Sequence, residues 1–184
     1  MTLSSILDLL VSFFRKSLLL VNAMRHSFEL EIVIGRPVEV VYEHLAQPAN
    51  WVGLQPLLAS VSPVARTVEH GRVCLRYTTT ERFRFGGRLK YDNPIAVRCV
   101  LAEPNARMES FVRSFPRLAL AATYRFLPAP QGTRLVEAVT IDGTWLLMPY
   151  VAGTAMRVQR QTLANLKARL ERSNDALAGH QELP

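Results

Sequence analysis

The sequence predicts one α+β domain over residues 26–176: a strand, two short helices, a run of antiparallel strands and a long final helix. Three observations carry this expectation. The stretch IVIGRPVEVVYEHLAQPANWVGLQP, residues 32–56, alternates apolar and polar residues before Gly35, then spaces them by three or four after Pro37. Between residues 57 and 145, apolar alternation recurs in runs separated by short turn signals, which favours an antiparallel meander over crossover units. After Pro149 the apolar residues return to helical spacing and hold it to the end of the domain.

The elements follow in order. Phe28, Leu30, Ile32 and Ile34 alternate with Ser27, Glu29 and Glu31, the pattern of a half-buried strand. Gly35 ends that strand. Pro37 suits the first helical position, where its missing N–H costs nothing, and Val38, Val41, Tyr42 and Leu45 form the apolar stripe. Pro48 stops this helix, leaving room for one short turn around Trp51 before Pro56. Six strands are expected near 57–69, 72–84, 87–102, 107–115, 117–128 and 133–145, about seven with the first. Gly71, Gly86-Gly87, Pro104-Asn105, Pro116 and the PAPQG stretch punctuate them. Asp92-Asn93-Pro94 is expected to bulge or split the third of the six. The final helix, 148–173, carries Met156, Leu163, Leu166, Leu170 and Leu177 on one side, and 177–184 is expected to be a tail.

Residues 1–25 form a separate expected element, an amphipathic helix with an unusually broad apolar side: Leu3, Ile6, Leu7, Leu10, Phe13, Phe14, Leu18, Val21 and Met24. Asp8, Arg15 and Lys16 break it into stretches far short of the ~20 residues a spanning helix needs. Asp8 and a long apolar lead precede the positive charges, the reverse of a secretory signal. Its surplus face suits packing on the same chain, a homodimer mate, or transient contact with an anionic membrane, with an atypical targeting segment as the remaining alternative. Met24 is an alternative start. The expected location is cytoplasmic, at most peripheral to a membrane.

Composition bounds the function. The chain has 184 residues, is 49% hydrophobic, and holds 22 Lys and Arg against 15 Asp and Glu. Disorder is excluded, and anionic partners are favoured as a class. Nucleic acid is disfavoured, because alternate arginines on strands serve as a solvated or edge-protecting face and no aromatic-plus-basic motif accompanies them. Cys74, Cys99 and four scattered histidines match no metal-ligand or redox spacing, so neither a metal nor a cofactor is expected. RFGGR at 84–88 sits in a hairpin context, not in a phosphate-binding loop leading to a helix.

The stretch FELEIVIGRPVEVVYEHLAQPANW, with YRFLPAPQGTRLVEAVTI before the last helix, resembles the helix-grip superfamily. This superfamily includes START lipid-transfer domains, the birch-pollen allergen family and the polyketide cyclase/dehydratase group. The resemblance covers about residues 26–173 and implies a curved sheet wrapped around the final helix, with a cavity for a hydrophobic ligand between them. Members range from carriers to receptors and cyclases, so the likeness alone does not choose a chemistry.

Alternation then nominates inward side chains: Tyr77 and Glu81 on one strand, Tyr91 on the next, Tyr124 on a later one, Glu137 and Trp145 on the last. With Trp51 and Met156 as further apolar walls, these are the expected ligand contacts for a lipid or polyketide-like molecule. Glu137 and Glu81 are the candidates for acid–base catalysis, since a carboxyl in an apolar cavity has its charged form disfavoured. The competing expectations are a carrier without chemistry, a cyclase/dehydratase using a buried Glu and Tyr, and an interaction protein dimerising through its leading helix. Strand-edge solvation or pairing with Arg is the bland reading of both glutamates.

Overall fold

The computed structural model describes residues 23–85, 89–114, 117–146 and 148–178. A curved antiparallel sheet of eight strands holds the long C-terminal helix against one face. The strands are β1 (Ala23–Ile34), β2 (Leu58–Val61), β3 (Ala65–Glu69), β4 (Arg72–Phe85), β5 (Leu89–Glu103), β6 (Arg107–Ser114), β7 (Leu118–Ala129) and β8 (Gly132–Thr144). Helix α1 (Val38–Leu45) and a single 3-10 turn, Pro48–Trp51, follow β1, and α2 (Met148–Ala178) ends the described chain. The sheet order is β1-β8-β7-β6-β5-β4-β2, with β3 also pairing β4.

Several boundaries differ from the sequence expectation. The run 57–69 is two strands, because Ser62-Pro63-Val64 interrupts it while both halves lie along β4. The sheet therefore has eight strands. Strand β5 runs unbroken through Asp92-Asn93-Pro94 in regular register with β4. Pro94 lies beyond the outermost β5–β6 pair, Ala96 with Arg113, so its missing N–H removes no ladder bond on that side. Pro37 is the N-cap of α1, one place earlier than expected. Helix α2 continues to Ala178, past the expected start of a tail. Ala23, Met24 and Arg25 are strand, paired with Thr144, Gly143 and Asp142, so the expected leading helix does not reach residue 25. The rest of that segment, the 86–88 turn and residues 179–184 lie outside the described residues.

The closing hairpin explains the PAPQG stretch. Gly132 has φ +127°, and a Cβ there would lie 2.3 Å from the Ile34 carbonyl oxygen. Only glycine fits between β8 and the end of β1. Thr133 next to it is fully buried and donates from Oγ1 to the Arg36 carbonyl at 2.7 Å, fixing the β1-to-α1 corner.

The two halves of α2 do different work. In the C-terminal half, Leu163, Leu166 and Leu170 are buried in the main core with Ile34, Val41, Leu45 and Leu135. Burial of each such leucine stabilises the fold by about 1.5–3 kcal/mol. Polar bonds along the flank fasten this half. Lys167 Nζ donates to the Val33 carbonyl and to Glu171 Oε1, both at 2.7 Å, and Glu171 accepts from the Gly35 amide at 2.8 Å. Asn165 reaches the Leu54 carbonyl at 2.7 Å, and Arg169 reaches the Asn50 carbonyl at 2.6 Å, pinning the 3-10 turn to the helix. The N-terminal half instead presents Val151, Thr154, Ala155 and Val158 to the sheet. These smaller side chains span a gap.

On the outer face of the sheet the arginines are largely neutralised. Arg25 pairs with Asp142, Arg82 with Asp92, Arg125 with Glu29, Arg134 with Glu31, and Arg76 and Arg98 share Glu69. These exposed pairs add little stability individually, yet they turn an arginine-rich face into a patchwork of both signs. No described helix is long and apolar enough to cross a membrane.

Candidate functional site

The gap beneath the N-terminal half of α2 is a cavity of about 320 Å³. Strands β4 to β7 supply one wall, including Phe83, Tyr91, Ile95, Val112 and Leu120, and α2 supplies the other through Tyr150, Val151, Thr154, Ala155, Val158 and Gln159. A deeper space of about 110 Å³ adjoins it, lined by Trp51, Tyr77, Ser110, Ala122 and Tyr124. Gln55, Glu81, Ile95, Val112, Leu120 and Gln159 border both spaces, so they form one tapering pocket. The lining is mainly aliphatic and aromatic with a few polar groups, the composition of a small-molecule site.

At the waist of the pocket Gln55 Nε2 donates to Glu81 Oε1 at 2.7 Å. Burial raises the Glu81 pKa above its ordinary value, and the Gln55 hydrogen bond partly opposes that rise. Asn93, opposite Glu81 in the β4–β5 register, is buried and donates to Ser114 Oγ at 3.0 Å. Deeper in, Trp51 donates from its indole N–H to the Leu45 carbonyl at 2.9 Å and sets its ring edge-on to Tyr124, centroids 5.8 Å apart. The turn Pro48–Trp51 thus sets the Trp51 ring against the deeper space.

Tyr124 and Glu137 are directly paired across β7 and β8. Glu137 is 1% exposed, and neither carboxylate oxygen has a hydrogen-bond partner of normal geometry. Desolvation pushes its pKa up to about 7, with the Tyr124 phenol beside it favouring the charged form. Burial in turn holds the Tyr124 phenol well above its usual range. Glu137 lies behind Tyr124 and does not border the pocket.

The structure brings together Trp51, Tyr77, Glu81 and Tyr124 around one space, with Tyr91 half-exposed at its mouth beside Phe83, ring centroids 6.4 Å apart. Two nominated walls lie elsewhere. Trp145 falls just past the end of β8 and is 56% exposed, because the alternation that placed it inward stops at Thr144. Met156 faces the start of β1, in a shallow groove with Met24, His26 and Ala152. Among the described residues neither glutamate has an Arg partner: Glu81 is held by Gln55, and Glu137 is buried without one.

Gln55, Asn93, Ser114, Tyr150 and Gln159 escaped the sequence reading. One signal was available. Val151, Thr154, Ala155, Val158 and Thr162 form a second helical stripe, and its small side chains mark the face over the hollow. Gln55 carries no such signal, since it sits in an irregular loop. A broader depression of about 900 Å³ lies on the outer sheet face around Arg76, Arg98 and Phe111. It is open to solvent, and both of those arginines are engaged with Glu69.

The family follows from comparison of this fold and sequence with known proteins. Residues 25–171 match the family described as polyketide cyclase/dehydrase and lipid transport. The chain belongs to that family. An uncharacterised Rhizobium leguminosarum protein shares 18% identity with this family member, over 82% of this chain and 97% of that one, with TM-score 0.56. The Zhui aromatase/cyclase of Streptomyces sp. R1128 shares 14% over 82% and 95%, TM-score 0.58. The di-domain ARO/CYC BexL from the BE-7585A biosynthetic pathway shares 19% over 89% of this chain and 59% of its own, TM-score 0.57. At these identities the likeness is one of fold. Among curated proteins none matches this chain.

Proposed function

We propose that this protein binds a hydrophobic small molecule, a lipid or polyketide-like compound, in the pocket between the sheet and α2. One observation carries the reading. The core is solid under the C-terminal half of α2, but under its N-terminal half the same helix leaves about 320 Å³ walled by apolar side chains. A hollow of this kind forgoes packing contacts that a larger residue at Ala155 would supply, and occupancy by an apolar guest restores them. Membership of a family described by cyclisation, dehydration and lipid transport supports the same class of ligand.

Native mass spectrometry of the full chain purified from expressing cells tests the proposal. A co-purifying apolar molecule whose removal lowers Tm supports it. An empty protein whose Tm is unmoved by extraction and by added amphiphiles refutes it.

A second reading, cyclisation or dehydration of the bound molecule, is favoured by Glu81. Its carboxyl borders the pocket and its pKa is raised, as a proton-transfer group requires. Glu81→Gln separates the two readings: an enzyme loses turnover and keeps its ligand, whereas a carrier has no turnover to lose.

A further inference from the structure

We infer that the pocket discriminates by charge, admitting uncharged or cationic guests and rejecting carboxylates, with Glu81 as the residue that sets this preference. The inference rests on the ligand-binding reading above and deepens it.

The chain carries 22 Lys and Arg against 15 Asp and Glu, so composition alone would favour anions. Yet among the described residues bordering the two connected spaces, none is Lys, Arg or His, and the one ionisable carboxyl is Glu81. Its polar neighbours are neutral: Gln55 bonded to it at 2.7 Å, Asn93 across the strand pair, and Gln159 on α2. Two arginines of the same strand, Arg76 and Arg82, point to the opposite face and pair with Glu69 and Asp92.

A carboxylate that enters such a space loses its water shell and finds no cation among the described lining residues to replace it. Charged Glu81 would repel it, and protonated Glu81 could offer only one hydrogen bond. An alcohol or ketone has the opposite experience, since Gln55, Glu81 and the Asn93–Ser114 pair together provide both donors and acceptors. An ammonium group gains a carboxylate partner out of bulk water. A cavity of about 320 Å³ tapering into about 110 Å³ suits a compact fused-ring guest.

The test uses three probes of one shape: 1-naphthalenemethanol, 1-naphthylmethylamine and 1-naphthoate, titrated calorimetrically into the full chain and into Glu81→Gln at pH 8. The expected result is that the alcohol and the amine bind the native chain at least about tenfold tighter than the carboxylate. In Glu81→Gln the amine weakens about fivefold or more, and by a larger factor than the alcohol. Gln159→Lys, which places a cation on the opposite wall, raises the affinity for naphthoate relative to the alcohol. Equal affinity of the native chain for alcohol and carboxylate overturns the inference while leaving ligand binding standing. An amine affinity unmoved by Glu81→Gln removes Glu81 from its assigned role. Failure of all three probes to bind overturns the pocket reading and the inference with it.

Discussion

Gln55 Nε2 and Glu81 Oε1 lie 2.7 Å apart, joining the loop after the Pro48–Trp51 turn to the inner face of β4 at the waist of the pocket. This bond ties the segment that closes the pocket to the one carboxyl among the described residues bordering it. It also supplies the interaction that lowers the Glu81 pKa against the effect of burial. Gln55→Ala should therefore raise that pKa further. Side-chain carbonyl NMR titration of the native chain and the variant measures it, and a downward or absent shift would mean that solvent had replaced the amide.

Glu137 gives stability a pH dependence of definite sign. Its carboxyl has an ordinary value of 4.5 and is raised to about 7 in the folded state, so folding favours the protonated form. Its contribution is complete below the unfolded value and is lost as pH rises through about 7. The loss amounts to about 3 kcal/mol across that window. Glu81 is shifted in the same direction and adds to the slope. Glu137→Gln should flatten the fall in Tm between pH 5 and about pH 8 without abolishing it. An unchanged profile in thermal denaturation would show that Glu137 is not buried in its charged form.

The two halves of α2 should respond oppositely to changes in size. Leu166 is fully buried, so Leu166→Ala should cost about 2–5 kcal/mol in denaturant unfolding. Ala155 borders the hollow, so Ala155→Trp should be tolerated and should weaken guest binding about tenfold or more. If Ala155→Trp instead unfolds the protein and leaves no soluble product, the space under Ala155 is not a hollow.

Gly132→Ala should be among the most damaging single substitutions on the surface-proximal loops. The added Cβ would meet the Ile34 carbonyl oxygen at 2.3 Å in a backbone conformation that alanine avoids. A loss of more than about 3 kcal/mol is expected, measured by chemical denaturation. A near-neutral effect would imply that the β7–β8 turn relaxes away from β1.

How much of this was legible beforehand differs from element to element. Phe28, Leu30 and Ile32 alternate strictly, and the strand they specify is the one observed. Tyr77, Glu81, Tyr124 and Glu137 were placed inward by the same two-residue period, and each faces the interior of the sheet. The period lost its authority at strand ends. Trp145 follows β8 by one residue and turns outward, where no ladder fixes its direction. Met156 was chosen for its bulk on a helical stripe, but the face over the hollow is marked by small residues instead.

Local periodicity thus determined the order of elements apart from the β2–β3 split, the inward faces of β4, β5, β7 and β8, and the class of fold, because side-chain direction follows backbone geometry within a few residues. Only the tertiary structure decided that the interior is solid beneath Leu163–Leu170 and hollow beneath Thr154–Ala155, and that Gln55 reaches Glu81 across 26 residues of chain. Packing volume and loop reach depend on how distant elements approach one another, and no short-range pattern encodes that distance.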